Sequence, residues 1–167
     1  MNKKLICLLM FVFSLSLAFT ACSDDDDDKV DYAKEVAGTY TGSLTLKIPV
    51  MEIDETIADK KIELTRISDN KVNLKLKEFS YGTLTLGDIP VDEITVTKDG
   101  STYKLADTSK NIDLLGGLMT ATVAISSSTV KDGKLNMTIK VNNVKQGGND
   151  MQLGDMNIAY SGSDRKS

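Results

Sequence analysis

With 24 carboxylates and no histidine, this 167-residue chain has one common kind of acid–base group available to it. Without imidazole there is no Ser-His-Asp or Cys-His arrangement, and no zinc site that needs a histidine ligand. A carboxylate-pair hydrolase is the remaining catalytic option, with Asp88 and either Asp92 or Glu93 as the pair. These residues fall near turns, where a solvated charge is the ordinary state, and a working pair is defined by its spacing across a cleft. No glycine-rich phosphate loop follows a strand. We therefore expect no enzyme, no cofactor and no metal. A sugar site would need an aromatic platform, for which Tyr81 and Tyr103 are candidates, while Tyr40 and Tyr160 alternate with core positions.

The charge balance narrows the partners. The formal charge is 20 − 24 = −4, and from Gly38 onward 16 basic side chains face 17 acidic ones. An almost neutral, interspersed surface carries no footprint for nucleic acid. Most of the excess charge sits in one run, Asp24, Asp25, Asp26, Asp27 and Asp28. Adjacent like charges repel and stay hydrated, so the run reads as a flexible spacer. Calcium loops space their ligands around a glycine turn, which this run lacks.

Ahead of the spacer, Lys3 and Lys4 precede an apolar stretch over residues 5–19 that is short for a membrane span. Small residues follow it, giving the layout of an export signal over residues 1–21. Cys7 leaves with that signal, and Cys22 is then a lone thiol with no disulfide partner. The stretch Phe19-Thr20-Ala21-Cys22 resembles the processing motif of bacterial lipoprotein precursors, departing from it at Phe19, where leucine is usual. The resemblance implies lipidation of Cys22. Two or more acyl chains anchor firmly where a single one binds reversibly. Ser23 and Asp24 to Asp28 are similar to the signal that sends Bacteroidetes lipoproteins to the outer face of the outer membrane. Residues 22–37 are thus expected to form an acidic tether.

The remainder, residues 38–167, must position whatever the chain does. Of these 130 residues, 34 are Val, Ile or Thr, which favour strands. Alternation is the stronger signal. Tyr40, Leu44, Leu46, Ile48 and Val50 share one parity; so do Leu74 and Leu76, Val123 and Ile125, and Met137 and Ile139. At Glu78 the parity slips toward Phe79 and Tyr81, the mark of an inserted bulge residue. Leu84 and Leu86, then Ile94 and Val96, read as separate strands, followed by a short one at Tyr103 and Leu105. Helix is confined to brief stretches at 53–58 or 114–118. Eight or nine strands joined by hairpins predict an all-β, antiparallel domain. Regular spacing favours a closed up-and-down barrel over a two-sheet sandwich. Gly42 to Val50 also echoes Gly82 to Val91, either as related pieces of sheet or as two strands solving one bend alike.

The segment Val36-Ala37-Gly38-Thr39-Tyr40-Thr41-Gly42 resembles the opening of the calycin-like, or lipocalin-like, β-barrel lipoproteins of Bacteroidetes. Phe79-Ser80-Tyr81-Gly82 leading to Ile89-Pro90-Val91, and Leu135 to Ile139, carry the likeness further over residues 36–163. It implies an eight-stranded barrel and no catalytic residues. Where lipocalins hold a tryptophan, Tyr40 stands. The residues expected to line the barrel interior or a ligand are Tyr40, Leu44, Leu46, Leu74, Leu76, Val123, Ile125, Met137 and Ile139. Four methionines (Met119, Met137, Met151 and Met156) crowd the last third, suited to irregular gaps. The expected role is noncatalytic binding of a small apolar ligand, a glycan or a surface protein. A filled, purely structural barrel is the alternative.

Overall fold

Side chains that alternate inward and outward carry the chain through ten strands, and their inward set builds the core. The computed structural model describes residues 30–164. The expected signal, Cys22 and the aspartate run lie outside them. A short helix, α1 (Tyr32–Val36), precedes β1 (Gly38–Ile48), β2 (Ile53–Ser68), β3 (Lys71–Tyr81), β4 (Leu84–Asp99) and β5 (Thr102–Leu105). Then come β6 (Thr108–Leu114), β7 (Met119–Lys131), β8 (Lys134–Gln146), β9 (Asn149–Asp150) and β10 (Met156–Asp164).

These make eight staves. β5 and β6 share one stave, since both pair with β7 and the intervening Ala106 N–H still bonds the Thr95 carbonyl at 2.8 Å. β9 is a two-residue fold-back on the tip of β8. Every pairing is antiparallel, and β10 returns to β1 with Leu44 opposite Tyr160. That last ladder closes the ring and removes the free edges of the sheet.

The interior is filled along most of its length. Leu44, Ile62, Leu76, Phe79, Leu86, Val123 and Ile158 are all fully buried, and each such side chain is worth about 1.5–3 kcal/mol out of water. The slip at Glu78 is a bulge. Its φ is +48°, and its freed N–H is taken by the Asp88 carboxylate at 2.9 Å.

Three expectations are corrected. Residues 53–58 belong to the long strand β2 rather than to a helix. The acidic start of the stretch suggested a helix N-terminus, but it pairs along β1 with Ile53 opposite Ile48 and Ile57 opposite Leu44, and the bulge at Asp59, at φ +58°, follows before Ile62. Leu84 to Val96 is one bent strand rather than two, kinked where Glu93 sits at φ +59°. The helix lies at Tyr32–Val36, inside the stretch expected to be tether, and the compact unit begins at Asp31 rather than Gly38.

That helix closes one end of the barrel. Asp31 caps it by accepting from the Lys34 N–H at 2.8 Å. Arg66 holds Asp31 at 2.7 Å and Asp69 at 2.8 Å. Ala33 and Val36 are fully buried against the core, and the Tyr40 hydroxyl donates to the Val36 carbonyl at 2.7 Å. The echo between residues 42–50 and 82–91 falls on unlike structures. Gly42 lies mid-strand opposite Gly162, whereas Gly82 is in a turn at φ +58°.

Candidate functional site

At the end away from α1 the barrel stays open. Four connections surround the mouth: the Pro49–Met51 turn, the Gly82 turn, the Leu115–Gly117 turn and the segment over residues 147–155. They enclose a cavity of about 440 Å³, within the ~300–1,000 Å³ usual for small-ligand sites. Ile48 and Met119, buried in the core, form part of its lining. Half-buried Ile53, Tyr81, Leu84, Met151 and Leu153 complete most of the wall, with Thr83, Thr85 and Gln146 as polar members. The lining contains no charged side chain.

Local structure explains this wall. β8 ends at Gln146, and β9 turns back over it with Lys145 opposite Asp150. The Met151 N–H then bonds the Val144 carbonyl at 2.9 Å, which fixes Met151 over the mouth. Gly154, at φ +68°, packs closely on the opposite turn, where a Cβ would stand 3.0 Å from the Val50 methyls. The rim is apolar as well as the wall. Val50 is 65% exposed, Leu118 69%, Met51 51% and Leu115 41%. Large apolar residues at loop tips, where polar ones are the rule, are an anomaly that marks contact surfaces.

One polar pair stands at the mouth. The Glu55 carboxylate beside Tyr81 raises the phenol above its ordinary range, with desolvation adding to the effect. The nearby basic groups are occupied by partners. Lys47 pairs with Asp54 at 3.4 Å, and Lys77 with Asp88 at 3.2 Å.

The nine residues expected to line the interior or a ligand all lie in the core, 0–3% exposed, and none of them lines this cavity. Inward parity marks every layer of the barrel alike. Which layer stays open is decided by the connections, whose apolar tips (Val50-Met51, Leu115 and Leu118) were the readable clue. Of the four late methionines, Met119 and Met151 line the cavity, while Met137 and Met156 are buried in the core.

The tyrosines proposed as a sugar platform are separated. Tyr81 stands at the mouth, whereas Tyr103 packs on Tyr32 of α1 with ring centroids 6.1 Å apart. Of the carboxylates proposed as a catalytic pair, Asp88 is engaged in structure. Asp88 accepts from the Glu78 N–H and Lys77, which holds its carboxyl below the usual range. Glu93 is a bulge residue whose N–H bonds the Asn73 side chain at 2.9 Å. Among the described residues, no group of three or more His, Cys, Asp or Glu is placed to hold a metal.

Comparison with known proteins agrees with this architecture. The sequence profile of the calycin-like beta-barrel domain matches residues 36–162. A crystal structure from Bacteroides fragilis, of a protein provisionally named as an outer membrane protein, is similar at 25% identity with a TM-score of 0.61. The match covers 80% of this chain and 53% of that one, so the chain spans about half the length of that relative. No curated protein matches. A profile match that runs from the end of α1 into the closing strand, over a ring of eight antiparallel staves, places the chain in the calycin-like β-barrel family.

Proposed function

We propose that the protein is a noncatalytic binding module whose open end takes a small apolar ligand. The observation that carries this reading is the cavity of about 440 Å³, charge-free in its lining and ringed by exposed Val50, Met51, Leu115 and Leu118. Apolar cavities with a few polar groups are the usual form of small-molecule sites. The likeness to an outer membrane protein, together with the sequence around Cys22, supports an acyl-anchored module at the outer membrane, facing outward.

Nile red, an uncharged dye that brightens in apolar surroundings, tests the binding reading. Its emission should rise on addition of the protein and fall by at least roughly tenfold in apparent affinity for Met151→Asp, because a buried unpaired carboxylate is costly. Circular dichroism should show the barrel intact in that variant. Unchanged dye binding by Met151→Asp would contradict the assignment.

A second reading rests on the same rim. The solid middle of the barrel and its exposed apolar mouth also suit a structural component that docks a neighbouring protein there. In that case Leu118→Asp would abolish co-purification of the neighbour and leave Nile red binding unchanged.

A further inference from the structure

The ring is completed through β5, which joins β4 to β7 near α1. Toward the mouth the same stave is β6, and it pairs with β7 alone. The facing stretch of β4, from Leu84 to Ile94, pairs only with β3. Among the described residues no ladder joins these two strands, so the mouth half of the wall contains a seam.

The residues along the seam suit an unpaired joint. Pro90, midway along that stretch of β4, has no N–H to give, which restricts proline to the edges and bulges of a sheet. Lys110 occupies an inward position of β6, and an inward charge is one of the ways an edge is kept from further pairing. Its ammonium donates to the Asp92 carbonyl across the seam. Nearer the mouth the Leu115 side chain lies on Gly87, where a Cβ would stand 3.0 Å from it.

Little burial holds β6 down. Its inward Thr108, Lys110 and Ile112 are half-buried, and of that set only Leu114 is in the core. On β4 opposite, Leu86, Ile89 and Val91 are fully buried, as are Val123 and Ile125 on β7. A segment with few buried apolar contacts opens locally more readily than its neighbours. Beyond Leu114 the chain turns through Gly116 and Gly117, at φ +68° and +93°, where the missing side chains leave the backbone free to rotate. The seam ends at the cavity: Leu84 and Thr85 on its β4 side line it, and so do Leu115 and Met119 beyond β6.

We infer that β6 is a hinged side wall of the binding cavity, which parts from β4 to admit apolar ligands too bulky for the resting space of about 440 Å³. This step rests on the binding reading above. Parting the two strands breaks no ladder; it costs the Lys110 bond to Asp92 and the contact of Leu115 with Gly87. Between β1 and β10, by contrast, the same opening would break the ladder from Tyr40 to Lys47.

A bridge across the seam tests this. Flat Nile red and the bulkier fluorescent sterol dehydroergosterol are titrated into the full chain carrying Cys7→Ser, Cys22→Ser, Asp92→Cys and Ser109→Cys, before and after bismaleimidoethane joins the two new thiols. Positions 92 and 109 are exposed and lie outside the cavity lining. The bridge should weaken sterol binding at least roughly tenfold and leave Nile red unchanged. Lys110→Met, which removes the bond across the seam and keeps the apolar stem, should tighten sterol binding severalfold, again with Nile red unchanged. Equal sterol binding with and without the bridge would overturn the inference, as would a chain that binds Nile red but no sterol; both results leave the cavity a binding site. If neither probe binds, the binding reading itself fails and this inference with it.

Discussion

Tyr160 shows how single residues hold the ring closed. Its hydroxyl reaches the Tyr40 carbonyl at 2.8 Å and the Lys60 carbonyl at 3.1 Å, tying β10 to β1 and β2. Gly162 leaves the space it needs, because a Cβ there would stand 2.2 Å from that hydroxyl. Gly42 sits opposite, where a Cβ would meet the Ser161 carbonyl oxygen at 2.0 Å. Overpacking of this kind costs about 1–3 kcal/mol, so urea melts of Gly42→Ala and Gly162→Ala should show losses in that range. Tyr160→Phe should cost about 1–2 kcal/mol, and adding it to Gly162→Ala should recover part of the loss from the glycine change.

Burial pushes the Tyr160 phenol up to about 12, against the Ile62 backbone N–H, which favours the phenolate. Burial also raises Tyr40, with the Asp164 charge adding to it. The folded state therefore favours both neutral phenols. Their stabilisation is complete below pH ~10, the unfolded value, and is lost as pH climbs toward 12. Absorbance at 295 nm should show two of the five tyrosines ionising only with the alkaline unfolding transition. Five ionising before unfolding would contradict this. With no histidine in the chain, the melting temperature should stay nearly flat between about pH 5 and 9.

At the scale of strands, three of the bulges that bend the barrel have their released N–H groups capped from another stave or its connection. Glu78 is capped by Asp88, Glu93 by Asn73 at 2.9 Å, and Ser127 by Asp107 at 3.3 Å. All three bulge residues have φ near +50–60°. Removing a cap leaves a backbone donor without its partner, so Asn73→Ala should destabilise by about 1–2 kcal/mol. The same change should not alter Nile red binding, since Asn73 is absent from the cavity lining.

These bulges also decide what could be read from the sequence. β7 up to Ile125, β8 up to Val141 and β10 alternate cleanly and were legible, as was the slip at Glu78. β6 was missed because its inward positions Thr108, Lys110 and Ile112 are only half-buried, Leu114 alone is fully buried, and just two of the four are apolar. Two strands were read in place of β4 because a bulge at Glu93 resets parity within a single ladder. α1 is only five residues long, too short for a 3.6-residue stripe to show, and its place is set by burial of Ala33 and Val36 rather than by propensity. The candidate site was hardest to read, since its wall is assembled from the ends of six strands and the loops between them.

For the whole molecule, a barrel that is solid through its middle, plugged at one end by α1 and apolar at the other presents one surface suited to a partner. An acyl anchor on Cys22 would tether the domain to a membrane. If so, radiolabelled palmitate should enter the protein and Cys22→Ser should abolish the label and release the chain from membranes; retained membrane association would contradict the anchor.

The central claim, that the open mouth is the binding site, is tested most directly by methyl NMR of the domain's five methionines during titration with Nile red. Met51, Met119 and Met151 line the cavity, whereas Met137 and Met156 do not. The first three methyl signals should shift together with a common saturation curve while the other two stay still. Shifts confined to Met137 and Met156, or no shift at all under saturating dye, would contradict the claim.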